Sequence, residues 1–522
     1  MAPRPAAIRS GFRADLATAA LALLILLPGA SRPFWNRDEA DYAAVARAMA
    51  RGGSLAAPAL FGKSFAEKPP LVFWLTAGSF RLFGESEAAG RLPHLVLAAL
   101  AVALVRRLAA RTGAPDRGGA AAAVFATSLL WIVYARLLLT EAALLFFDLA
   151  AIHALLSLSR RFRPAALAGA AGALAGALLA KGPVALAAPA LFAAGSITGG
   201  RPRGRSILGF AAAAAIATAL TAPWWLGRGS GTAAFLAREN VGRFLRAREG
   251  HGGPFLYYVP VLVAGLFPWA GFAAGPRTAA RRPDPRWEAW AWGIPVLFSF
   301  SATKLPHYVL PALPAFAMIA SERLRESGEG ARRTAAWVAA VTGVLLVGGA
   351  IAGTGRVEFP ALLVPSIAAL AVAAALALSL PSAARSTARF FTLAVLAAIS
   401  IPLLLPAALE DGRALAVLGR AASRSRRPGE PAGGWRFDEV ALDFYSGIAE
   451  RRKWNDASVL GEAIAHSPSR SLLLWIRGRD APPLARGGGI ALAILASRAN
   501  LVETGPQGEI LLCRARFSAA RR

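Results

Sequence analysis

The chain has 522 residues, 56% of them hydrophobic, a formal net charge of +28 and a mean hydropathy of +0.48. That apolar excess excludes an ordinary soluble globular protein, and repeated apolar runs approach the roughly 20 residues a helix needs to cross hydrocarbon. The basic excess does not point to nucleic acid, because the arginines fall in short clusters between apolar runs, as membrane topology signals do. The single cysteine, Cys513, excludes an intramolecular disulfide and a cysteine-based metal site, and the five histidines show no ligand spacing.

Residues 14–30 follow Arg4, Arg9 and Arg13 and end in Pro28-Gly29-Ala30-Ser31. They read as a retained first span, with a cleaved signal peptide as the alternative. Further spans are expected at 92–110, 119–136, 140–158, 165–180, 183–197, 206–226, 255–274, 287–302, 306–321, 333–352, 359–380 and 389–408, about thirteen in all. With the N-terminus in the cytoplasm, every loop assigned inside is rich in arginine. Examples are Arg106, Arg107 and Arg111, then Arg160, Arg161 and Arg163, then Arg201, Arg203 and Arg205, and further on Arg323, Arg325, Arg332 and Arg333. The opposite loops are residues 31–91, Arg136 to Glu141, the surroundings of Lys181, residues 227–254 and the surroundings of Lys304.

An odd number of spans leaves the tail, residues 411–522, on that same outer side. The tail opens on a Pro/Gly-rich basic linker, Arg420 to Gly434, and then alternates short apolar runs, such as Ser471 to Ile476 and Glu509 to Leu512, with helix-like stretches. The expected fold is a polytopic α-helical membrane domain over 1–410, with outer-face amphipathic helices, followed by a small α/β extracytoplasmic domain over 411–522.

Chemistry gathers in the outer loops, first in residues 31–91. Asp38 to Met49 predicts an amphipathic helix with Tyr42, Val45, Ala46 and Met49 on one face and Gly52-Gly53 ending it. Asp38 reads as its N-cap, with Asp41 imitating a capping box, which is compatible with a catalytic carboxylate held in place. Glu67-Lys68-Pro69-Pro70 sets a lysine at the start of an apolar helix, a role open to a merely snorkelling side chain as well. Arg136 and Glu141 flank a turn between spans, where charge beside hydrocarbon marks either a site or a pair that packs the hairpin. Lys181-Gly182-Pro183 and Lys304-Leu305-Pro306-His307-Tyr308 repeat a lone cation followed by a proline, an arrangement that suits a phosphate at the membrane surface. Glu239 to Phe244 and His251-Gly252-Gly253-Pro254-Phe255 fill the longest outer loop.

Taken in order, these segments are similar to the polyprenyl-phosphate-dependent, multispan glycosyltransferases of the GT-C superfamily. They most resemble bacterial aminoarabinose (lipid A) transferases and protein mannosyltransferases, glycosyltransferase family 39. The resemblance covers most of the membrane part and almost none of the tail. It implies an inverting transfer of a sugar from an undecaprenyl phosphate carrier to lipid A, another glycolipid or a protein. It places Asp38 at the catalytic aspartate and Glu141 at the second acidic position. Lys68, Arg243 and Tyr308 fall at donor-phosphate positions, with Lys181 and Lys304 added to that set and Glu39, Arg136 and His251 in support. Where aminoarabinose transferases commonly carry arginine this chain has Asp41, a departure that points away from lipid A in particular.

A base to take the acceptor's proton and fixed positive charge for the growing phosphate charge are what such a transfer needs. Asp38 and Lys68 are therefore expected to flank a cavity rather than pair. No metal is firmly expected; a divalent cation would have Asp38 and Glu141 to share it. The expected partners are membrane lipids, the lipid-linked sugar and an envelope acceptor, with the chain acting as a monomer in the inner membrane. The competing readings are a transporter or flippase of lipid-linked sugars, which would place charges near the midplane and show repeats, and a non-catalytic scaffold.

Overall fold

Hydrophobic length separates the helices long and apolar enough to cross a membrane from the shorter ones. A computed structural model describes residues 5–34, 37–65, 67–112, 117–197, 203–227, 230–248, 250–274, 284–326, 334–335, 337–339, 341–342, 411–436, 439–448, 452–499 and 509–518. In chain order the first helices are α1 (Pro5–Leu26), α2 (Arg37–Ala50), α3 (Leu71–Phe83), α4 (Glu87–Thr112), α5 (Arg117–Ala126), α6 (Leu129–Tyr134), α7 (Glu141–Arg160), α8 (Pro164–Lys181), α9 (Ala187–Ala194) and α10 (Arg203–Gly227). Among the described residues α4, α7, α8 and most of α10 are long and apolar enough to cross a membrane.

Small residues set the spacing between these helices. Ala170, Ala173, Ala177 and Leu174 of α8 are buried towards α7, and a Cβ on Gly176 would lie 2.6 Å from the Phe147 ring. In hydrocarbon such close approach supplies the dispersion contacts that hydrophobic burial supplies in water. Bulk comes from aromatics elsewhere in the same core. Trp131 stacks on Phe125 at 4.5 Å between centroids, and Trp269, Trp287 and Trp290 are fully buried.

Several expected spans are interrupted rather than continuous. Residues 119–136 form α5 and α6 with a break at Thr127-Ser128, whose hydroxyls donate back to the carbonyls of Ala123 and Val124 while Leu129 N–H turns to Phe267 O. Such local side-chain bonding competes with the helical ladder. The span expected at 306–321 begins as a 3-10 turn, Pro306–Ala312, before the helix Leu313–Glu326, since Pro306 and Pro311 each lack an N–H to donate. The spans expected at 333–352, 359–380 and 389–408 lie wholly or mostly outside the described residues.

The shorter helices α2 and α3 pack together through Tyr42, Phe65 and Phe73, whose rings meet edge to face at 5.4–6.4 Å. A two-residue hairpin, β1 (Ala59–Leu60) with β2 (Lys63–Ser64), lies beside them.

The tail residues form a five-stranded sheet of β3 (Ala432–Trp435), β4 (Lys453–Trp454), β5 (Leu472–Arg477), β6 (Ile490–Ala499) and β7 (Glu509–Phe517) in the order β4-β3-β5-β7-β6. β3 runs parallel to β4 and β5, while β7 is antiparallel to both β5 and β6. Leu472 to Ile476 are buried on both faces, which is why β5 reads as an unbroken apolar run. Leu472, Leu474 and Ile476 face one core with Trp454 and the buried thiol of Cys513. Leu473 and Trp475 face the other with Leu418 and Leu442, on the helices Asp411–Ser425 and Val440–Ser446.

Candidate active site

α2 carries the first acidic residues, and its buried face is the one the periodicity names: Tyr42, Val45, Ala46 and Met49 are each at most 2% exposed. Ala40, Ala43 and Ala44 join them, so small residues widen the apolar stripe. The helix starts at Arg37, so Asp38 sits inside its first turn and is not the cap that the sequence suggests. There the helix dipole favours its negative charge, and the residue is exposed.

The neighbouring Glu39 has the opposite fate. It is fully buried, its Oε1 accepting from Arg91 Nε at 2.9 Å and from Leu138 N–H at 2.7 Å, its Oε2 from Arg91 Nη2 at 2.9 Å. Arg91 also donates to the carbonyls of Ala30, Arg32 and Pro33. All five guanidinium protons are thus engaged. Glu39 is a strut that ties α2 to α4.

Tyr42 lies in the field of Asp38, Glu141, Asp41 and Glu67; burial first, then those carboxylates, push its hydroxyl well above the ordinary tyrosine value. It stays protonated, under the influence of carboxylates from α2, from the Glu67 segment and from the start of α7.

Glu141 opens α7 and is 3% exposed. Its Oε1 lies 2.6 Å from Lys181 Nζ and 3.7 Å from His307 Nε2. Lys181 reaches it because α8 ends there: Gly182 takes φ +79°, and a Cβ on it would lie 3.0 Å from the Phe235 ring, so glycine alone turns the chain into the 3-10 segment Pro183–Leu186. An ammonium in the last turn also suits the helix dipole. His307 packs against Tyr134 at 5.4 Å and lies within electrostatic reach of Lys181, Glu141, Lys68 and Arg243.

Lys68 and Arg243 gather at the π-helical turn Leu236–Gly242. Glu239 on it accepts from Arg243 Nε at 2.8 Å and approaches Lys68 Nζ at 4.0 Å. Lys68 sits just before α3, which starts immediately after Pro70. Among the sequence-predicted residues, Asp38, Lys68, Glu141, Lys181 and Arg243 therefore border one region, with Glu239, His307 and Tyr134 as members that residue typing alone did not select. His307 and Glu239 lay inside motifs already quoted; Tyr134 had no signal beyond standing next to Ala135-Arg136.

Other candidates are placed differently. Lys304 Nζ donates to the carbonyls of Phe298 (3.1 Å), Ser299 (2.7 Å) and Ser301, so its three protons close the end of the helix Pro285–Ser299. Arg136 donates to Ile25 O, Leu26 O and Ile132 O and fastens the end of α1. His251 is exposed, and its carbonyl accepts from Lys304 N–H at 2.7 Å. The Tyr308 ring packs between Phe298 and His307 at 4.9 and 5.0 Å. As to a metal, no group of three His, Cys, Asp or Glu side chains gathers among the described residues, and Glu141 is engaged by Lys181.

With this geometry in view, comparison with known proteins is informative. Residues 67–226 match the family model described as dolichyl-phosphate-mannose-protein mannosyltransferase. The chain is 31% identical over 320 residues to the undecaprenyl phosphate-alpha-4-amino-4-deoxy-L-arabinose arabinosyl transferase of Pseudomonas aeruginosa (strain LESB58), covering 58% of each protein. It is 31% identical over 314 residues to the transferase of the same name from Pectobacterium carotovorum, covering 57% of this chain and 56% of the relative. The matches thus span a little over half the length of these relatives. The fold agrees with the crystal structure of ArnT from Cupriavidus metallidurans bound to undecaprenyl phosphate, at a TM-score of 0.72 and 19% identity over 96% of this chain and 97% of that one. The likeness to the curated relatives thus covers part of the chain, and the likeness to the solved structure extends the shared fold over nearly all of it.

Proposed function

We propose that this chain is an inner-membrane inverting glycosyltransferase of the GT-C type, which moves a sugar from an undecaprenyl phosphate carrier to an envelope acceptor. The observation that carries this reading is that Lys181 pairs with the buried Glu141 and Arg243 and Lys68 with Glu239, the three cations and Glu141 lying within electrostatic reach of His307, while the exposed Asp38 acts together with Glu141 on Tyr42. Asp38 takes the proton of the acceptor hydroxyl as the new C–O bond forms and the sugar–phosphate bond breaks. Lys68 and Arg243 receive the negative charge that grows on the departing phosphate, exchanging Glu239 for it. Lys181 stays with Glu141. Tyr308 serves as a hydrogen-bond donor to the phosphate.

The relatives' names favour an amino-pentose donor; the acceptor proposed with it, on the family resemblance, is a lipid A-type glycolipid, even with Asp41 where those transferases commonly carry arginine. The proposed layout keeps the N-terminus in the cytoplasm and puts the cluster and the tail from 411 onward in the periplasm, with the chain acting as a monomer. The arginine bias of the alternate loops supports that orientation. Charges grouped around one rim, rather than along a route across the bilayer, speak against a flippase. The test is transfer from a radiolabelled undecaprenyl-phosphate sugar to lipid A in proteoliposomes. Activity of the wild type with loss in Asp38→Asn at equal folded yield is the expected result, and equal activity of the two removes Asp38 as the base.

A further inference from the structure

The tail meets the membrane part at the helix that bears Asp38. Phe34 N–H, just ahead of α2, donates to Tyr445 Oη at 2.9 Å, across 411 residues of sequence. At the other end of α2, Arg47 Nη1 donates to Phe444 O at 2.8 Å, and its guanidinium lies 4.1 Å from the centroid of the Phe444 ring. Phe34 and Phe444 pack edge to face at 5.4 Å, and Val440, Ala441 and Phe444 share one apolar core with Ala40, Tyr42, Ala43 and Val45. Arg420 of the tail stacks on Tyr445 at 4.9 Å and pairs with Glu87 at the start of α4; Tyr445 also hydrogen-bonds Glu87.

The membrane part holds α2 through the Glu39–Arg91 strut in its first turn and through α3, where Phe73 packs on Tyr42 and Arg81 donates to the carbonyls of Met49 and Ala50. The tail adds two further contacts, Tyr445 at the approach to the helix and Phe444 at Arg47. These two restrict the remaining swing of the helix, and with it the carboxylate of Asp38.

We propose that the tail helix Val440–Ser446 is a positioning element for catalysis, in which Tyr445 and Phe444 fix the orientation of α2 and so of the Asp38 carboxylate. This rests on the reading of Asp38 as the base. Geometric precision of this kind is strongly coupled to rate, since a displacement near 1 Å at the reacting group costs up to roughly a hundredfold.

The experiment compares full-length wild type, Tyr445→Phe, Arg47→Lys and the control Arg51→Ala in nanodiscs. Arg51 also lies at the end of α2 but pairs with Glu85 on the surface, at 63% and 29% side-chain exposure. Hydrogen exchange over residues 34–50 is measured alongside kcat and KM for the undecaprenyl-phosphate sugar. Tyr445→Phe deletes the oxygen that accepts from Phe34 and bonds Glu87, leaving the ring in place, and Arg47→Lys keeps the charge while losing the guanidinium stacking.

In both variants exchange over 34–50 rises, and kcat falls about five- to twentyfold with donor KM within about twofold, an intermediate loss on the scale of misplacement; Arg51→Ala moves none of these. Unchanged exchange overturns the anchoring. Raised exchange with unchanged kcat, or a rise in KM alone, overturns the positioning role. A wild type with no transfer from any lipid-linked sugar overturns the function proposed above, and the exchange measurement then still decides whether the tail holds α2.

Discussion

The Glu39–Arg91 strut and the Glu141 cluster both take carboxylates and cations out of bulk water, and the way each does so separates scaffold from site. In the strut both oxygens of Glu39 accept and all five donors of Arg91 are occupied, at 0% and 4% side-chain exposure. That arrangement has one geometry, and any departure from it leaves a buried charge uncompensated. In the cluster, one oxygen of Glu141 serves Lys181 and a more distant His307, and one oxygen of Glu239 serves Arg243 while Lys68 stands off at 4.0 Å. Lys68 keeps 27% of its side chain in solvent. Contacts of this looser kind can be traded for those of an arriving phosphate. Adjacent residues on one helix, Asp38 and Glu39, thus belong to different systems.

Substitutions on the two sides of this divide should fail in different measurements. The largest effect is expected from Asp38→Asn, which removes the proposed base: transfer falls by about 10²–10⁴-fold, the range for positioned proton transfer, while the melting temperature stays near wild type. Glu39→Gln should do the reverse, costing about 3–5 kcal/mol of stability by leaving Arg91 buried without its counter-charge, read as lost folded yield and a lower melting temperature. If Glu39→Gln folded normally and only slowed transfer, the strut would belong to the site. Lys68→Met is next, with an expected loss of about tenfold to a hundredfold in kcat/KM, about 1.4–2.7 kcal/mol of charge stabilisation, and little change in stability. Smallest is Arg51→Ala: an exposed pair of this kind is worth about 0–1 kcal/mol, so the melting temperature should barely move.

How much of this could be read from the sequence depends on the range of the interaction. The α2 face was legible because Tyr42, Val45, Ala46 and Met49 recur at helical spacing, and the Lys68-Pro69-Pro70 and Lys181-Gly182-Pro183 junctions because proline and glycine impose local geometry. Arg91 was not, since it lies near the start of a long helix and its carboxylate partner is 52 residues away. Lys304 looked like a phosphate ligand by its neighbours; its actual partners are backbone carbonyls, which no side-chain motif announces. Glu141 and Lys181 were assigned to one side of the bilayer, yet nothing in their spacing says that they pair. The strands of the tail were visible as apolar runs, whereas the docking of Phe444 and Tyr445 on α2 depends on a meeting of surfaces.

The bond between Phe34 and Tyr445 also bears on how the protein is made. A ribosome adding about 5–20 residues per second emits the α2 segment some 20–80 s before Tyr445 follows it. Until then the nascent chain has its membrane helices and its future nucleophile-activating group, but lacks the clasp on either end of α2. Newly inserted molecules would acquire full competence only when translation has finished and the last hundred residues have folded back, so that premature termination yields an inserted but poorly aligned protein rather than a half-active one.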